Sequence, residues 1–326
     1  MKKECYPLDL TNKIADKYEH CWKYVEDFRT DSSLPKWNER CYIPIAAGIA
    51  IASNGSMSPF ARKKIGIDGA IITAVAAWRL HKQIYAFDPT MEKTLMDQAD
   101  DDLKIPMDIL NKIPDYCIYI ETTTIKDFQG FFVHFESDVN TGELELRFLL
   151  TKEKEGVMPL PLHLIPGGTI RDCMNATFQS IFDQSDDWVL DYDWDEPQRY
   201  ALELCCKLMQ LVLYICSKNK EIEEDPIQKK ITRQPKSIHF IKDKYREVQR
   251  WILGERSGDM MRKLYASNEH QEDQKLKTKR IKAGTPKRPH FRKAHWHHYW
   301  VGSEVKGDRM LELKWIAPMF IHKSDL

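Results

Sequence analysis

The chain has 326 residues, which is enough for one large hydrophobic core or two smaller ones, because cores tend to divide at roughly 250–300 residues. Its 49 Lys and Arg residues equal its 49 Asp and Glu residues in number. The overall charge therefore excludes a uniformly basic or acidic protein, and only the local distribution of charge can indicate an anionic partner.

The cysteines and the hydropathy pattern bear on the cellular compartment. Eight cysteines are scattered along the chain without a Cys-x-x-Cys pair, which argues against a disulfide scaffold and predicts reduced, mostly buried thiols. The N-terminus has no apolar signal core. No window approaches the roughly eighteen uncharged apolar residues that a membrane span requires. We therefore expect a soluble cytoplasmic protein with no membrane partner.

The first hundred residues show helical periodicity. Between residues 11 and 30, apolar side chains recur at three- and four-residue steps, which predicts a helix with one apolar face. Residues 59–86 form a second apolar region that we interpret as helical, closed by Asp88-Pro89. We expect a helical N-terminal lobe over residues 1–105.

The periodicity then changes to two. Residues 116–124, 130–136 and 143–150 are rich in β-branched and aromatic residues, which predicts three antiparallel strands, the last two joined by a short turn that contains Gly142. Three prolines between residues 159 and 166 are expected to end the sheet and to precede a helix over residues 169–182.

The rest of the chain predicts helices that cover this sheet and a C-terminal hairpin. Residues 201–216 are apolar on nearly every side and indicate a central core helix, and residues 241–265 indicate another helix. Two further strands are predicted at 290–300 and 310–321. The predicted fold class is α+β. Residues 106–326 would form an α+β domain with a basic arm at about 268–289 and the hairpin at 290–321.

From Lys275 to Lys293, which covers most of the basic arm and the start of the hairpin, the chain contains no acidic residue. Such a run neutralises phosphates and predicts salt-dependent attachment to nucleic acid, whereas a solvated linker is the alternative. Its basic residues are Lys275, Lys277, Lys279, Arg280, Lys282, Lys287, Arg288, Arg292 and Lys293.

The segment 286–300 mixes histidine, aromatic and basic residues. Alternate side chains of a strand share a face. His295, His297 and Tyr299 are therefore predicted on one face, and Trp296 and Trp300 on the other. Three interpretations stay open: a surface that stacks bases or binds a peptide, an aromatic hairpin that only packs, and a metal site with His295 and His297 as ligands.

Metal binding and catalysis have little support from motifs. A site at the histidine pair needs a third ligand, for which His134, Asp308 and His322 are candidates. The acidic run at 183–196 suits a divalent cation or a solvated loop. The sequence has no Gly-rich phosphate loop, no Gly-x-Ser-x-Gly elbow and no His-Glu-x-x-His helix. We therefore assign no catalytic residue and no cofactor.

The C-terminal motifs resemble those of a known family. Gly254-Glu-Arg256 with Gly258 and Arg262 is followed by Arg288-Pro-His-x-Arg292 and by His295-Trp-His-x-Tyr-Trp-x-Gly302. This arrangement is similar to the C-terminal half of the anti-CRISPR family that was described second against type V-A systems. Weaker similarity extends over most of the chain.

The resemblance implies an inhibitor from a mobile genetic element that acts in the cytoplasm of a bacterial host cell. Members of that family lower production of the effector nuclease by recognising its N-terminal peptide as it leaves the ribosome, and the message being translated is destroyed. This implies a non-enzymatic protein whose partners are the nascent peptide, the mRNA and the ribosome. The residues predicted to contact peptide or RNA are Glu255, Arg256, Arg262, Arg288, His290, Arg292, His295, Trp296, His297, Tyr299 and Trp300.

Two functions of other classes are kept as alternatives. One is a metal-dependent ribonuclease that uses His295 and His297 as ligands or as acid and base, with Arg292 stabilising the transition state. The other is an adaptor that binds RNA or the ribosome and recruits a host nuclease.

Overall fold

A computed structural model of the chain describes residues 5–53, 62–138, 141–152, 156–183, 193–225, 247–277, 290–292, 294–303 and 309–321. Its helices are α1 (Tyr6–Lys17), α2 (Cys21–Thr30), α3 (Ile45–Ser53), α4 (Arg62–Trp78), α5 (Pro89–Met96), α6 (Met107–Leu110), α7 (Ile170–Asp183), α8 (Asp195–Cys216) and α9 (Glu255–Lys277). Its strands are β1 (Gln83–Phe87), β2 (Cys117–Glu121), β3 (Phe128–Ser137), β4 (Leu144–Lys152), β5 (Val157–His163), β6 (Ile222–Glu224), β7 (Gln249–Leu253), β8 (His290–Arg292), β9 (His295–Val301), β10 (Met310–Ile316) and β11 (Met319–Ile321).

Seven of these strands form one mixed sheet in the order β5-β4-β3-β2-β1-β7-β6. β1 is parallel to both β2 and β7, and the other neighbouring pairs are antiparallel. The described residues thus confirm the α+β fold class. β1 lies within the first 105 residues and is hydrogen bonded on both sides to strands of the remaining chain. The division into two domains stays a prediction.

Alternate residues of the central strands enter two hydrophobic cores on opposite faces of the sheet. Ile118 and Phe131 join the core built with α5, α6, α7 and α8. Tyr119 and Phe132 join the core built with the first four helices. Trp78 of α4 meets Phe132 edge to face, with ring centroids 6.0 Å apart. The sheet is therefore covered by helices on both sides.

Several predicted elements are confirmed. The strands at 116–124, 130–136 and 143–150 correspond to β2, β3 and β4, and the helix at 169–182 corresponds to α7. The core helix at 201–216 is the greater part of α8, in which every residue from 211 to 216 is buried. A helix that is apolar on all sides requires such a position between a sheet and other helices.

Two predicted helices were wrong in part because each contains a short strand. α4 ends at Trp78, and β1 follows within the range 59–86 that was predicted to be helical. The range 241–265 contains β7 before α9 begins. All five residues of β1 are buried. A parallel strand covered on both faces shows a continuous apolar run instead of alternation, and a short run of this kind does not differ from part of a buried helix.

The prolines after β4 do not end the sheet. Pro159 and Pro161 lie within β5, opposite Leu149 and Arg147 of β4. β5 is the outermost strand of the sheet. A proline is tolerated there because the position of its missing N–H can face away from the neighbouring strand.

The C-terminal segment also differs from its prediction. Each of the two predicted strands is divided, with β8 and β9 in place of 290–300 and β10 and β11 in place of 310–321. β9 pairs with β10, and β8 pairs with β11, in two separate two-stranded ladders. α9 extends to Lys277, so residues 268–277 of the predicted arm are helical.

All eight cysteines are free, and all except the half-buried Cys5 are buried, as the sequence predicts. Burial raises the pKa of the Cys21, Cys206 and Cys216 thiols to about 12. These thiols therefore pack as small apolar groups. In the described part of the chain, no helix is long and apolar enough to cross a membrane.

Candidate functional site

The C-terminal hairpin, β9 paired with β10, places aromatic residues opposite one another. Trp296 lies opposite Trp315 in the register. Because alternate residues of a strand share a face, Trp296 and Trp300 lie on one face of the hairpin, and His297 and Tyr299 lie on the other. This is the alternation that the sequence predicts for β9.

The tryptophan face packs on α8 at one end of the hairpin. Trp296 Nε1 donates a hydrogen bond of 2.6 Å to Gln210 Oε1. Trp315 meets Tyr214 edge to face, with ring centroids 5.9 Å apart. Leu313 and Trp315 are buried. This end of the hairpin is therefore part of the core, which fixes its position on the sheet domain.

The same face opens into a groove at its other end. Trp300 is 54% exposed, and the guanidinium carbon of Arg309 lies 4.8 Å from the centre of its ring. The groove has a volume of about 600 Å³. Its walls include Trp300, His298, Leu311, Leu103, Ile105, Pro106 and Met107. An exposed aromatic ring beside an apolar groove is a suitable anchor point for a peptide side chain.

The opposite face of the hairpin carries an ordered polar network. Tyr299 donates a hydrogen bond of 2.5 Å to Glu312 Oε2, and Lys218 Nζ lies 2.8 Å from the same oxygen. Hydrogen bonds from Lys218 and Tyr299 lower the pKa of Glu312. His297 stacks on Tyr299 at 6.1 Å, and Lys314 Nζ lies 4.6 Å from the centre of the Tyr299 ring. Tyr299 is therefore held in one orientation.

The outer edge of β10 is covered by the segment that follows α8. Asn219 Nδ2 donates to Trp315 O at 2.7 Å, and Asn219 Oδ1 accepts from Trp315 N at 3.0 Å. Lys218 N donates to Leu313 O at 3.0 Å. The backbone groups of Trp315 and the carbonyl of Leu313 thus point away from β9 and are paired.

The outer edge of β9 has no strand paired to it among the described residues. Since Trp315 directs its backbone groups outward, Trp315 and Trp296 form a non-hydrogen-bonded pair of the antiparallel ladder. Trp296, His298 and Trp300 therefore direct their N–H and C=O groups to the outer edge of β9. No backbone hydrogen bond reaches these groups from the residues that the structure describes. A strand edge in this state can pair with another extended chain.

The histidines of β9 do not converge on a common point. Arg292 Nη2 lies 3.1 Å from His295 Nε2, which places a cationic group at one of the two ring nitrogens that could bind a metal ion. His297 is stacked on Tyr299. Desolvation and the neighbouring His297 lower the pKa of His298. These contacts suit hydrogen bonding and stacking better than metal ligation.

The proposed third ligands do not complete a metal site. His134 is buried in β3 with Nδ1 3.1 Å from Phe135 O, and burial lowers its pKa to about 4. Asp308 and His322 lie outside the described residues. Among described His, Cys, Asp and Glu residues, the one group of three or more with ligand atoms within 4.8 Å of one another is Asp100, Asp101 and Asp102. Exposed acidic groups of this kind are common without an ion.

The Gly254-Glu-Arg256 motif forms the start of α9. Glu221 accepts hydrogen bonds from Arg256 N at 2.7 Å and from Ser257 N at 3.0 Å. A carboxylate in this position satisfies free N–H groups of the first turn and opposes the positive end of the helix dipole. Arg256 also pairs with Glu223 at 2.6 Å, and Glu255 is exposed. The motif therefore fixes the helix start.

The glycines of this motif allow α9 to approach α5. Gly254 has φ +71°, and a Cβ atom there would lie 2.5 Å from Met91 Cγ. At Gly258 an added Cβ would lie 2.0 Å from Asp88 Oδ1. Arg262 Nη1 donates to both carboxylate oxygens of Asp88 at 2.8 Å. Arg262 is thus a structural link between the two helices.

The predicted contact residues fall into two groups joined by one segment. The hairpin group comprises Arg292, His295, Trp296, His297, Tyr299 and Trp300, and the helix group comprises Glu255, Arg256 and Arg262. The segment 218–221 contacts both, through Lys218 and Asn219 at the hairpin and through Glu221 at the start of α9. His290 is paired with Ile321 in the β8–β11 ladder.

The basic arm and the acidic run are described only in part. Lys275 and Lys277 lie in the last turns of α9, whereas Lys279, Arg280, Lys282, Lys287, Arg288 and Lys293 lie outside the described residues. Of the acidic run, Asp195 and Glu196 occupy the first turn of α8, where negative charge is favourable. Asp193 Oδ1 accepts from Asp195 N at 3.1 Å.

Sequence reasoning missed the residues that position the hairpin. Lys218, Asn219 and Glu221 follow the core helix as a short polar segment, which has the pattern of an ordinary surface loop. Gln210 is a single polar residue in the apolar part of α8. It is buried and therefore needs a hydrogen-bond partner, but the sequence does not indicate which residue that partner is. Each of these residues forms a hydrogen bond with a strand or helix at least thirty-five positions away in the sequence.

Two comparisons with known proteins found a match to this chain. The profile of the AcrVA2-like family, described as "Anti-CRISPR type V subtype A2 family", matches residues 85–323. A solved structure described as "Crystal structure of AcrVA2" is similar over 97% of this chain and 98% of that one, with a TM-score of 0.61 and 18% sequence identity. No curated protein sequence matches this chain.

The profile thus defines an anti-CRISPR protein directed against type V-A systems. The matched range runs from β1 to the end of the C-terminal strands and includes both groups of contact residues. The chain belongs to the AcrVA2-like family.

Proposed function

We propose that the chain binds the nascent N-terminal peptide of the type V-A effector nuclease and promotes degradation of the mRNA during translation. Family membership supports the inhibition of a type V-A system. The proposed recognition of the peptide and the proposed loss of the mRNA are inferred from the resemblance of the motifs at 254–262 and 288–302 to those of the family. The role assigned to the hairpin comes from its geometry.

The unpaired edge of β9 is the observation that carries the peptide-binding part of the proposal. A peptide added to this edge would gain main-chain hydrogen bonds from Trp296, His298 and Trp300. Its alternate side chains would meet the groove beside Trp300 on one face and the Tyr299 network on the other. Main-chain pairing gives affinity, and the two faces select the side chains.

The basic arm supports the part of the proposal that concerns RNA. Nine Lys and Arg residues lie between Lys275, near the end of α9, and Lys293, just before β9, and no acidic residue lies among them. Such a run binds phosphates without base specificity. It would keep the protein near the ribosome or message while the hairpin reads the emerging peptide.

A titration with chemically modified peptides tests the strand-addition step. The effector's N-terminal peptide is compared with a scrambled peptide and with versions N-methylated at every second backbone nitrogen. Only one set of alternate N–H groups of an added strand faces β9. We expect one methylated set to abolish binding and the other to bind nearly as well as the parent. Equal effects of the two sets would contradict strand addition.

A cleavage assay separates this function from the ribonuclease alternative. The purified chain is incubated with RNA alone, with Mg²⁺, Mn²⁺ or Zn²⁺, and with chelator. We expect no cleavage under any condition, because the proposal assigns the loss of message to the translating cell. Metal-dependent cleavage that disappears in the His295→Ala variant would establish the ribonuclease instead.

A further inference from the structure

A second site lies at the edge of the sheet formed by β5, which is the edge far from β7. There β3, β4 and β5 form the floor of a cavity of about 360 Å³, and parts of α3 and α7 form its walls. Ile45, Ile49, Pro161 and Ile181 supply apolar surface to this cavity. No described residue of the hairpin or of the start of α9 lines it.

Three ionisable residues cross the floor of this cavity on adjacent strands. Glu136 of β3 lies opposite Glu145 of β4, and Glu145 lies opposite His163 of β5. Glu145 is fully engaged: His163 Nε2 lies 2.6 Å from Oε1, and Arg147 Nη2 lies 2.7 Å from Oε2. These partners lower the pKa of Glu145 against the effect of its burial, and Glu145 raises that of His163.

Among the described residues, Glu136 has a hydrogen-bond partner at one of its two carboxylate oxygens. Its side chain is 1% exposed. Oε1 accepts a hydrogen bond of 2.8 Å from Ile45 N, and Oε2 has no hydrogen-bond partner among the described residues. An unpaired carboxylate oxygen in the interior is costly unless a donor or a cation satisfies it. A buried group of this kind in the floor of a cavity indicates a ligand.

The charges around the cavity favour a cation. Its lining contains the acidic residues Glu136, Glu145 and Asp138, and the basic residues Arg147 and His163. Arg147 and His163 are both committed to Glu145. Glu136 therefore carries the negative charge of the floor that lacks a direct partner among the described residues. A metal ion is a poor fit, because these residues do not bring three ligand atoms within 4.8 Å of one another.

We propose that this cavity binds an organic cation, an alkylammonium or guanidinium group whose N–H donors reach Glu136 Oε2. The apolar walls would contact the hydrocarbon chain attached to that group. Such a group occurs in free amines and in the side chains of lysine and arginine within a peptide. The site is independent of the hairpin, so it does not rest on the peptide-binding function proposed above.

Titration calorimetry with defined probes tests the site on the full-length protein. n-Butylamine and agmatine represent free amines, the blocked tripeptide acetyl-Gly-Lys-Gly-amide represents a basic side chain, and n-butanol is the uncharged control. We expect at least one cationic probe to bind at pH 8 and n-butanol not to bind. Binding by the free amines alone, or by the tripeptide alone, identifies the source of the cation and supports the site in either case.

The Glu136→Gln variant locates the binding, and Glu143→Gln is its matched control. Glutamine retains an acceptor for Ile45 N, so this variant should fold, and its circular dichroism spectrum checks that. Glu143 is exposed and does not line the cavity. We expect Glu136→Gln to weaken binding by about tenfold or more, the loss of one hydrogen bond to a charged group, and Glu143→Gln to change it less than about twofold. Absence of binding by every cationic probe, or equal affinity in the Glu136→Gln protein, would overturn the proposal.

Discussion

Asn219 forms two hydrogen bonds with the backbone of Trp315, donating from Nδ2 at 2.7 Å and accepting at Oδ1 at 3.0 Å. The amide side chain thus pairs with the outer edge of β10 in the way that a neighbouring strand would. Within the described part of the chain, this leaves β9 as the hairpin edge available to another chain. The site proposed for the peptide therefore depends on a contact outside the hairpin itself.

Replacement of Asn219 by alanine should loosen the hairpin. Two hydrogen bonds to a partly buried backbone are lost, for which we expect a decrease in unfolding free energy of about 1–2 kcal/mol. Hydrogen exchange of the Trp315 amide should become faster. Asn12→Ala is the control, because Asn12 is exposed in α1, and it should not destabilise the protein. Unchanged exchange at Trp315 would show that Asn219 does not hold β10.

A proline at position 298 should block the edge of β9. The N–H of His298 points away from β10, so proline removes an outward donor and leaves the hairpin ladder intact. We expect His298→Pro to lose affinity for the effector's N-terminal peptide by about tenfold or more. His298→Ala retains the N–H and should lose much less.

The thermal midpoint of both His298 variants checks that the hairpin remains folded. If His298→Pro has a normal midpoint and binds the peptide as well as His298→Ala does, the outer edge of β9 is not the binding edge.

Substitution of Gly254 by alanine should destabilise the start of α9 for two separate reasons. Its φ of +71° is unfavourable for a residue with a side chain, and the new Cβ would lie 2.5 Å from Met91 Cγ. We expect a loss of about 2–4 kcal/mol in unfolding free energy, measured by denaturant titration.

Gly142 provides the matched control for this substitution. It has φ +74° with no atom within 4 Å of the added Cβ, so Gly142→Ala should cost only the backbone strain of about 1–2 kcal/mol. Equal losses of unfolding free energy in the two variants would mean that Met91 moves away from the new Cβ atom at little cost.

The buried carboxyl of Glu136 should make stability depend on pH. Burial raises its pKa from the ordinary 4.5 to about 7. The folded protein therefore binds this proton more tightly than the unfolded chain does. The corresponding stability is present below about pH 4.5 and is lost as the pH rises to about 7. A shift of this size corresponds to a loss of about 3 kcal/mol.

Comparison with Glu136→Gln isolates this titration. The groups that face Glu136, namely Arg147, Glu145, Asp138 and Cys41, are present in both proteins, as is His163. The stability of the wild-type protein relative to Glu136→Gln should therefore fall between pH 4.5 and pH 8 in denaturant titrations. A constant difference across that range would show that Glu136 titrates normally.

The helices and antiparallel strands follow from the sequence because their signals are local. Period-two alternation in residues 130–136 and the all-round apolar pattern of 201–216 each define an element without reference to the rest of the chain. β1 and β7 lack such a signal. β1 is a short, mostly apolar run, and β7 begins with Gln249 and Arg250 before three apolar residues. Each is recognised as a strand through its parallel pairing with the other, more than a hundred residues away.

The candidate site could be predicted as a set of residues but not as a geometry. The alternation of His297, Tyr299 and the two tryptophans follows from strand periodicity alone. The sequence gives no indication that Asn219 covers the edge of β10 or that Gln210 receives the indole of Trp296. Both contacts join distant segments through single polar side chains, which carry no periodic pattern.

The level of effector mRNA in cells that express this protein tests the central claim most directly. Three effector genes are compared: the natural sequence, one with synonymous changes in its first codons, and one in which the same codons encode different amino acids. We expect message loss for the first two and normal message for the third, because the hairpin reads the peptide and not the codons. Loss of message from the third gene, or its survival in the synonymous one, would contradict recognition of the nascent peptide.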